Sequence, residues 1–289
     1  MTIGHQTQCF PVDNFRHFAF MMCVMAEGRS FIKWAGGKTR YASALIAAAP
    51  AYSGRYWEPF MGSAAVFFEL RPAKAVLSDA NPELVACFRA VAADPEAVMA
   101  RLDAMPNTPE EFALVRRLDP ATLDDIERAA RVIYLNKTAF RGLWRVNRHG
   151  GFNVPYGAYD RPYYRRETLL EASHALASAD VRLCDFADAL REAAAGDWVF
   201  LDPPYLPEGG FADFKRYTAG QFRDADHERL AAEMRDASDR GVLLTMTNSD
   251  TDATRRIYTG FNTTRMATRR DINLRAAARA SFDLVITNY

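Results

Sequence analysis

The chain has 289 residues, 49% of them apolar and 25% charged, with 36 basic against 36 acidic side chains. This is the composition of a globular protein holding one large domain, or a domain with a sizeable insertion. No apolar run approaches the ~20 residues of a membrane span, and the charge balance gives no sign of general adhesion to nucleic acid.

Along the chain, residues 1–28 are rich in Phe and Met without periodicity, and Met21, Met22 and Met25 leave open a mis-assigned start. From Phe31 the pattern becomes α/β. Tyr41–Ala49 reads as a helix stopped by Pro50, and Tyr56–Phe60 as a short strand entering the turn Met61-Gly62-Ser63. Ala64–Leu70 reopens a helix and Ala75–Asp79 is the next strand. Asn81-Pro82 starts another helix with N-cap and N1 chemistry. Asp94–Asn136 is helical, punctuated by Pro106, Pro109 and Pro120. Phe140–Pro155, where glycines and arginines alternate with apolar residues, predicts a β-hairpin turning near Gly150. Strands follow at Val181–Asp185, Trp198–Leu201, Val242–Thr247 and Asp283–Thr287, with a helix over Asp224–Ser238. The expected architecture is a Rossmann-like α/β sheet over 29–93 and 166–289, interrupted by a helical and hairpin insertion at 94–165.

Charge is balanced overall but not locally. Between Glu127 and Asp160 there is no acid, while Arg128, Arg131, Lys137, Arg141, Arg145 and Arg148 fall there. A second cluster holds Arg265, Arg269, Arg270, Arg275 and Arg279 around Asp271. Such stretches on a neutral protein point to a specific anionic partner. Cys9, Cys23, Cys87 and Cys184 form no C-x-x-C pair and the five histidines form no H-E-x-x-H, so neither a disulfide framework nor a metal site is expected. Without a signal peptide, the reading is a reducing cytosol.

The densest chemistry is Asp202-Pro203-Pro204-Tyr205, closing the apolar run Trp198–Leu201. Ligands of open α/β folds bind at the carboxyl ends of strands. There the Asp202 carboxylate and the Pro203 carbonyl can each accept a hydrogen from an exocyclic amine, while Tyr205 stacks on its ring. Gly37-Lys38-Thr39 suggests a phosphate loop, but Ile32 stands where that motif needs glycine. Trp34 instead offers an aromatic face and Lys38 a cation for a carboxylate. Glu58 and Phe60 precede the Gly62 bend, and Asp79, seventeen residues beyond Gly62, suits the two hydroxyls of a ribose. A nucleoside cofactor without phosphates is the consistent reading.

In order, FIKWAGGK (31–38), EPFMGS (58–63), LSDAN (77–81), YLNKTAFRGLWRVNRHGGFNVPYG (134–157), Asp185-Phe186, LDPPY (201–205) and LVITNY (284–289) resemble the Dam-type, class alpha, DNA adenine N6-methyltransferases over about residues 29–289. The resemblance implies S-adenosylmethionine (AdoMet) as cofactor. Its contacts would be Trp34, Lys38, Asp79, Asp185 and Phe186, with Asp202 near the reacting methyl and Glu58, Phe60 and Gly62 shaping the pocket. It also implies a flipped adenine stacked on Tyr205. The insertion would enter duplex DNA, with Arg145 and Asn147 reading base edges and Leu143 and Trp144 wedging or packing. Lys33, Arg141 and Arg148 would be further DNA contacts, the last two on phosphates. Ala64 stands where the family has a third glycine, and Arg141 where many relatives carry Asn. The enzyme would be an orphan or the functional partner of a restriction endonuclease. Methylation of RNA adenine or cytosine N4, and a binding protein with a decayed cofactor site, are the competing readings.

Overall fold

In the computed structural model of the chain, the residues described are 30–147, 149–206, 222–268 and 281–289. Seven strands form one sheet: β1 (Tyr56–Glu58), β2 (Ala75–Asp79), β3 (Ala179–Leu183), β4 (Trp198–Leu201), β5 (Leu243–Ser249), β6 (Asn262–Thr268) and β7 (Ser281–Thr287), in the order β3-β2-β1-β4-β5-β7-β6. The first five are parallel, and β7 runs antiparallel to both β5 and β6.

Both faces are covered, which explains the continuous apolar text of the central strands. Alternation sorts their side chains. Tyr56, Leu77, Trp198 and Phe200 join one apolar cluster with Phe67, Phe88 and Leu135; Trp57, Val76, Val199 and Leu201 join the other with Leu230 and Met234. Helix starts are fixed by local chemistry. The Asn81 side chain accepts from the Glu83 and Leu84 amides ahead of helix Pro82–Ala93, Thr108 caps Pro109–Arg117, and Asp124 with Glu127 forms a capping box on Asp125–Thr138.

Residues 94–165 lie between β2 and β3 and hold three α-helices, Pro95–Asp103, Pro109–Arg117 and Asp125–Thr138. Their apolar residues, among them Val98, Phe112 and Phe152, join the cluster beneath Phe67 and Trp198. The predicted hairpin is shorter than its pattern. It consists of the bridges Val146↔Phe152 and Ala139↔Tyr156, with Gly150 at φ +82° closing the turn. Residues 140–142 form a 3-10 turn with Arg141 at φ +58°. Trp144, Val146, Phe152 and Val154 are all buried, so both arms pack on the body of the protein instead of standing free as a ribbon. Helices Arg166–Leu176, Phe186–Glu192 and Asp252–Ile257, and strand β6, were not expected from the sequence.

Strand order reverses between β1 and β4: the chain goes from β1 outward to β2 and β3, and from β4 the other way to β5. The carboxyl ends of β1 and β4 therefore meet at the crevice where such sheets take ligands. The loop 31–38 is pinned beside that crevice by Asn136, which is fully buried. Its Oδ1 accepts from the Lys33 amide at 2.8 Å, and its Nδ2 donates to the Lys33 carbonyl at 2.6 Å and to the Gly142 carbonyl at 3.4 Å. Asn136→Ala would strand these backbone groups, so the urea midpoint is expected to fall by an amount equivalent to about 1–3 kcal/mol, with the slope unchanged.

Candidate active site

At the end of β4 the Asp202 carboxylate receives three bonds. Lys38 Nζ lies 2.6 Å from both oxygens, and Thr247 Oγ1, from β5, donates at 2.7 Å. Lys38 is buried, also donates to the Gly36 carbonyl at 2.8 Å, and stands 4.9 Å from the centre of the Tyr205 ring. The turn is fastened from behind. The Leu206 amide donates to Asn248 Oδ1 at 3.2 Å, Ser249 Oγ donates to the Leu206 carbonyl at 2.7 Å, and the Tyr205 hydroxyl donates to Asp283 at 3.1 Å. Burial, with Asp202 and Asp283 nearby, holds the Tyr205 phenol well above its ordinary pKa, so the ring stays neutral.

At the end of β1, Glu58 is 3% exposed and accepts from the Tyr56 hydroxyl at 2.8 Å and the Phe67 amide at 3.2 Å. Burial outweighs those bonds and pushes its pKa up to about 8. Asp79 ends β2, accepts from the Gly62 amide at 3.2 Å and the Asn81 amide at 2.9 Å, and is raised by burial to about 6. Gly62 adopts φ +45°, and a Cβ there would sit 2.8 Å from Trp34 Cδ1, so the position needs glycine on both counts. Ala64 is also left-handed, at φ +50°, although it carries a side chain.

The wall beyond Asp79 is aromatic. Phe60 and Phe186 stack at 5.4 Å, and Phe222 meets them edge-on at 5.7 Å and 5.8 Å. Asp185 caps helix Phe186–Glu192 through the Ala187 amide and is forked by Arg229 at 2.6 Å and 2.9 Å. Arg229 lowers the Asp185 pKa and lies 4.1 Å over the Phe186 ring. The crevice thus offers two paired carboxylates, two carboxyls whose pKa values are raised, a stacking wall and a phenol ring.

On the insertion side, Trp144 is buried, stacked 5.9 Å from Trp34 and edge-on to Phe152 at 5.0 Å. Of the two expectations for this residue, wedging or packing, it packs, and the half-buried Leu143 packs against the same cluster. Lys33 and Arg141 are exposed. Arg145 donates to Asn153 Oδ1 at 2.8 Å and to the Asn153 carbonyl at 3.3 Å, and Asn147 Oδ1 accepts from the His149 and Gly151 amides. Phe140, absent from the expected site, is 46% exposed with the Arg141 guanidinium 5.4 Å from its ring. Arg148, residues 1–28 and Arg269, Arg270, Arg275 and Arg279 lie outside the described residues. Arg265 is held by Asp250 at 2.5 Å. Thr247, Asn248, Asp283, Phe222 and Arg229 were also missed. Each reaches the site from a distant segment, and no local pattern marks it.

Residues 34–272 match the family of D12 class N6 adenine-specific DNA methyltransferases. The chain belongs to that family. It is 33% identical to the type II methyltransferase M1.LlaDCHI of Lactococcus lactis subsp. cremoris, over 90% of this chain and 95% of that protein. It is also 33% identical to the type II methyltransferase M.MjaIII of Methanocaldococcus jannaschii, over 91% and 100%. A DNA adenine methylase of Haemophilus influenzae is 32% identical over 85% and 88%. The enzyme is therefore an adenine-specific DNA methyltransferase on a mixed α/β fold, as its motifs implied.

In this methyltransferase Glu58 keeps its proton near neutral pH when folded and releases it when unfolded. The folded state then binds more protons between pH 4.5 and about 8, so this group's stabilisation is full below the window and is lost as pH rises through it. Asp79 acts with the same sign between 3.8 and about 6. Glu58→Gln keeps an acceptor for Tyr56 and Phe67 but cannot ionise. Urea-unfolding free energies from about pH 5 to pH 8 should decline less steeply in the variant; equal slopes would remove Glu58 from the account.

Proposed function

We propose that the Asp202–Tyr205 turn receives the N6 amine of an adenine drawn out of duplex DNA, and that AdoMet is the methyl donor. The observation that carries this reading is the half-buried Asp202 carboxylate, held by Lys38 and Thr247 at the switch point beside Pro203 and the Tyr205 ring. Asp202 and the Pro203 carbonyl accept the two N6 hydrogens, which leaves the nitrogen lone pair free to act as nucleophile, and Tyr205 stacks on the base. The proton lost from N6 passes to solvent with Asp202 as transient acceptor.

The residues present fit AdoMet. Asp79, half-buried and fed by the Gly62 amide, suits ribose hydroxyls; Phe60 and Phe186 offer an apolar wall for a base; Asp185 is an acceptor for its amine. Lys38 suits a carboxylate, and Trp34, Glu58 and Gly62 shape the floor. AdoMet supplies a methyl on a sulfonium, an electrophile that needs no metal.

Duplex DNA would lie along Lys33, Arg141, Arg145, Asn147 and Arg148. Since Trp144 is buried, the exposed Phe140 is the side chain on this segment suited to fill the space a flipped base leaves. Two relatives are type II methyltransferases, which supports a functional pairing with a restriction endonuclease. The expected cytoplasmic location goes with DNA as substrate.

Asp202→Ala should slow methyl transfer from labelled AdoMet by at least about 10²–10³-fold while DNA binding persists; near-normal turnover would remove the turn from the mechanism. Phe140→Ala should slow transfer to a paired adenine more than to a mismatched one, because a mismatched base is easier to extrude. Equal effects on both substrates would assign the wedge elsewhere.

A further inference from the structure

The Tyr205 hydroxyl reaches past β5 to a carboxylate on the antiparallel part of the sheet. It donates to Asp283 at 3.1 Å, across 78 residues of chain, and Asp283 is 7% exposed near the start of β7. There Asp283 pairs with Ser249 of β5 and Met266 of β6. Alternation sends Leu284 and Ile286 into the apolar cluster of Leu201 and Met246. It turns Asp283 to the opposite face with Val285, which packs on the cluster of Trp198 and Phe200. A carboxylate so far withdrawn from water persists only where hydrogen bonds replace its hydration. The Tyr205 ring itself is half-buried, with Lys38 Nζ over it at 4.9 Å from its centre.

We propose that Asp283 is a positioning residue for methyl transfer, setting the tilt and plane of the Tyr205 ring so that one face is ready for the target base. The inference rests on the reading of the Asp202 turn given above. A tyrosine ring turns about two bonds, and the second has only a broad rotational preference. A bond at the far end of the ring fixes its tilt about the first. A phenolic O–H lies in the plane of its ring, so the direction of the acceptor also sets that plane. With Lys38 on one face, the base can stack only on the other, and offset stacking depends on how the ring is turned. A carboxylate accepts more strongly than a neutral oxygen, which tightens the tether. Holding the turn together does not call for this bond. Leu206, the next residue, is already held by Asn248 at 3.2 Å and Ser249 at 2.7 Å.

The test uses the full chain and a duplex containing the site the enzyme methylates. It compares Tyr205→Phe, Asp283→Leu, the double variant of these two, Asp283→Asn and Asp202→Ala. It reads the single-turnover methyl-transfer rate, Kd for AdoMet, and the fluorescence of 2-aminopurine, an adenine analogue quenched by stacking, at the target position. Tyr205→Phe keeps the ring and loses the donor; Asp283→Leu keeps the ring and loses the acceptor. Each should slow transfer about ten- to a hundred-fold, with Kd for AdoMet nearly unchanged, and each should brighten the bound 2-aminopurine. The double variant should be no slower than either single one. Asp283→Asn, which keeps an acceptor, should recover most of the rate. A wild-type rate in Tyr205→Phe, additive losses in the double variant, or an Asn variant no better than Leu would overturn the proposal. If Asp283→Leu does not fold, Tyr205→Phe decides alone, an unchanged rate or unchanged fluorescence overturning it. An inactive Asp202→Ala beside a normal Tyr205→Phe sinks only this inference. An active Asp202→Ala sinks the reading of the turn, and the inference with it.

Discussion

The site is organised by one buried ion pair between segments 164 residues apart: Lys38, in the loop before helix Ala42–Ala47, and Asp202, at the end of β4. Both charges are largely withdrawn from water, a state that holds only when geometry is close and the remaining polar atoms are satisfied. Thr247 and the Gly36 carbonyl supply those satisfactions. The pair therefore demands that the loop 31–38 be fixed as firmly as the sheet. That demand explains the fastening of Lys33 by Asn136, the stack of Trp34 on Trp144, and a glycine at 37, where a Cβ would stand 3.0 Å from Ser63 Oγ.

Four carboxyls cluster at the carboxyl ends of the parallel strands, and their surroundings drive them apart. Asp202 has a cation; Asp185 has Arg229 and stays ionised at lower pH than usual; Glu58 and Asp79 have only neutral donors and hold their protons to higher pH. Burial is the main cause of both rises, and the Asp202 charge adds only to that of Glu58. A carboxyl held protonated by burial can still ionise beside a cation, which on the proposed reading suits a sulfonium-bearing donor.

Much of this was legible in the sequence wherever local chemistry decides the outcome. The run Trp198–Leu201 is a strand to the residue, because four consecutive apolar side chains must be buried on two faces. Asn81-Pro82 starts its helix for reasons contained in three residues. The hairpin was over-read. Its alternation of polar and apolar residues suits a ribbon, but the apolar positions found partners on the helical body and the ladder shrank to bridges. Strand β6 was invisible because, over residues 262–267, only the half-buried Met266 packs on the core and the rest are exposed, so no alternation marks a face. In the site, the strand-end acids and the Asp202 turn could be named in advance. Their partners could not, since Thr247, Asp283 and Arg229 are ordinary residues until the fold brings them in.

The recognition side, on the proposed reading, must give up bonds before it can read DNA. Arg145 already spends its guanidinium on Asn153, and Asn147 spends its oxygen on the Gly150 turn. A base edge that matches their donors and acceptors replaces those bonds nearly one for one. A mismatched edge leaves a desolvated group unpaired, which is far more costly than the bond it displaced. Discrimination then arises from the exchange rather than from added contacts, and the self-satisfied segment is held in shape between encounters. The same logic runs through the catalytic side, where Lys38 holds Asp202 until a better partner for either arrives. In both places these polar groups are bonded within the protein, so on the proposed reading a ligand that displaces those bonds must replace them.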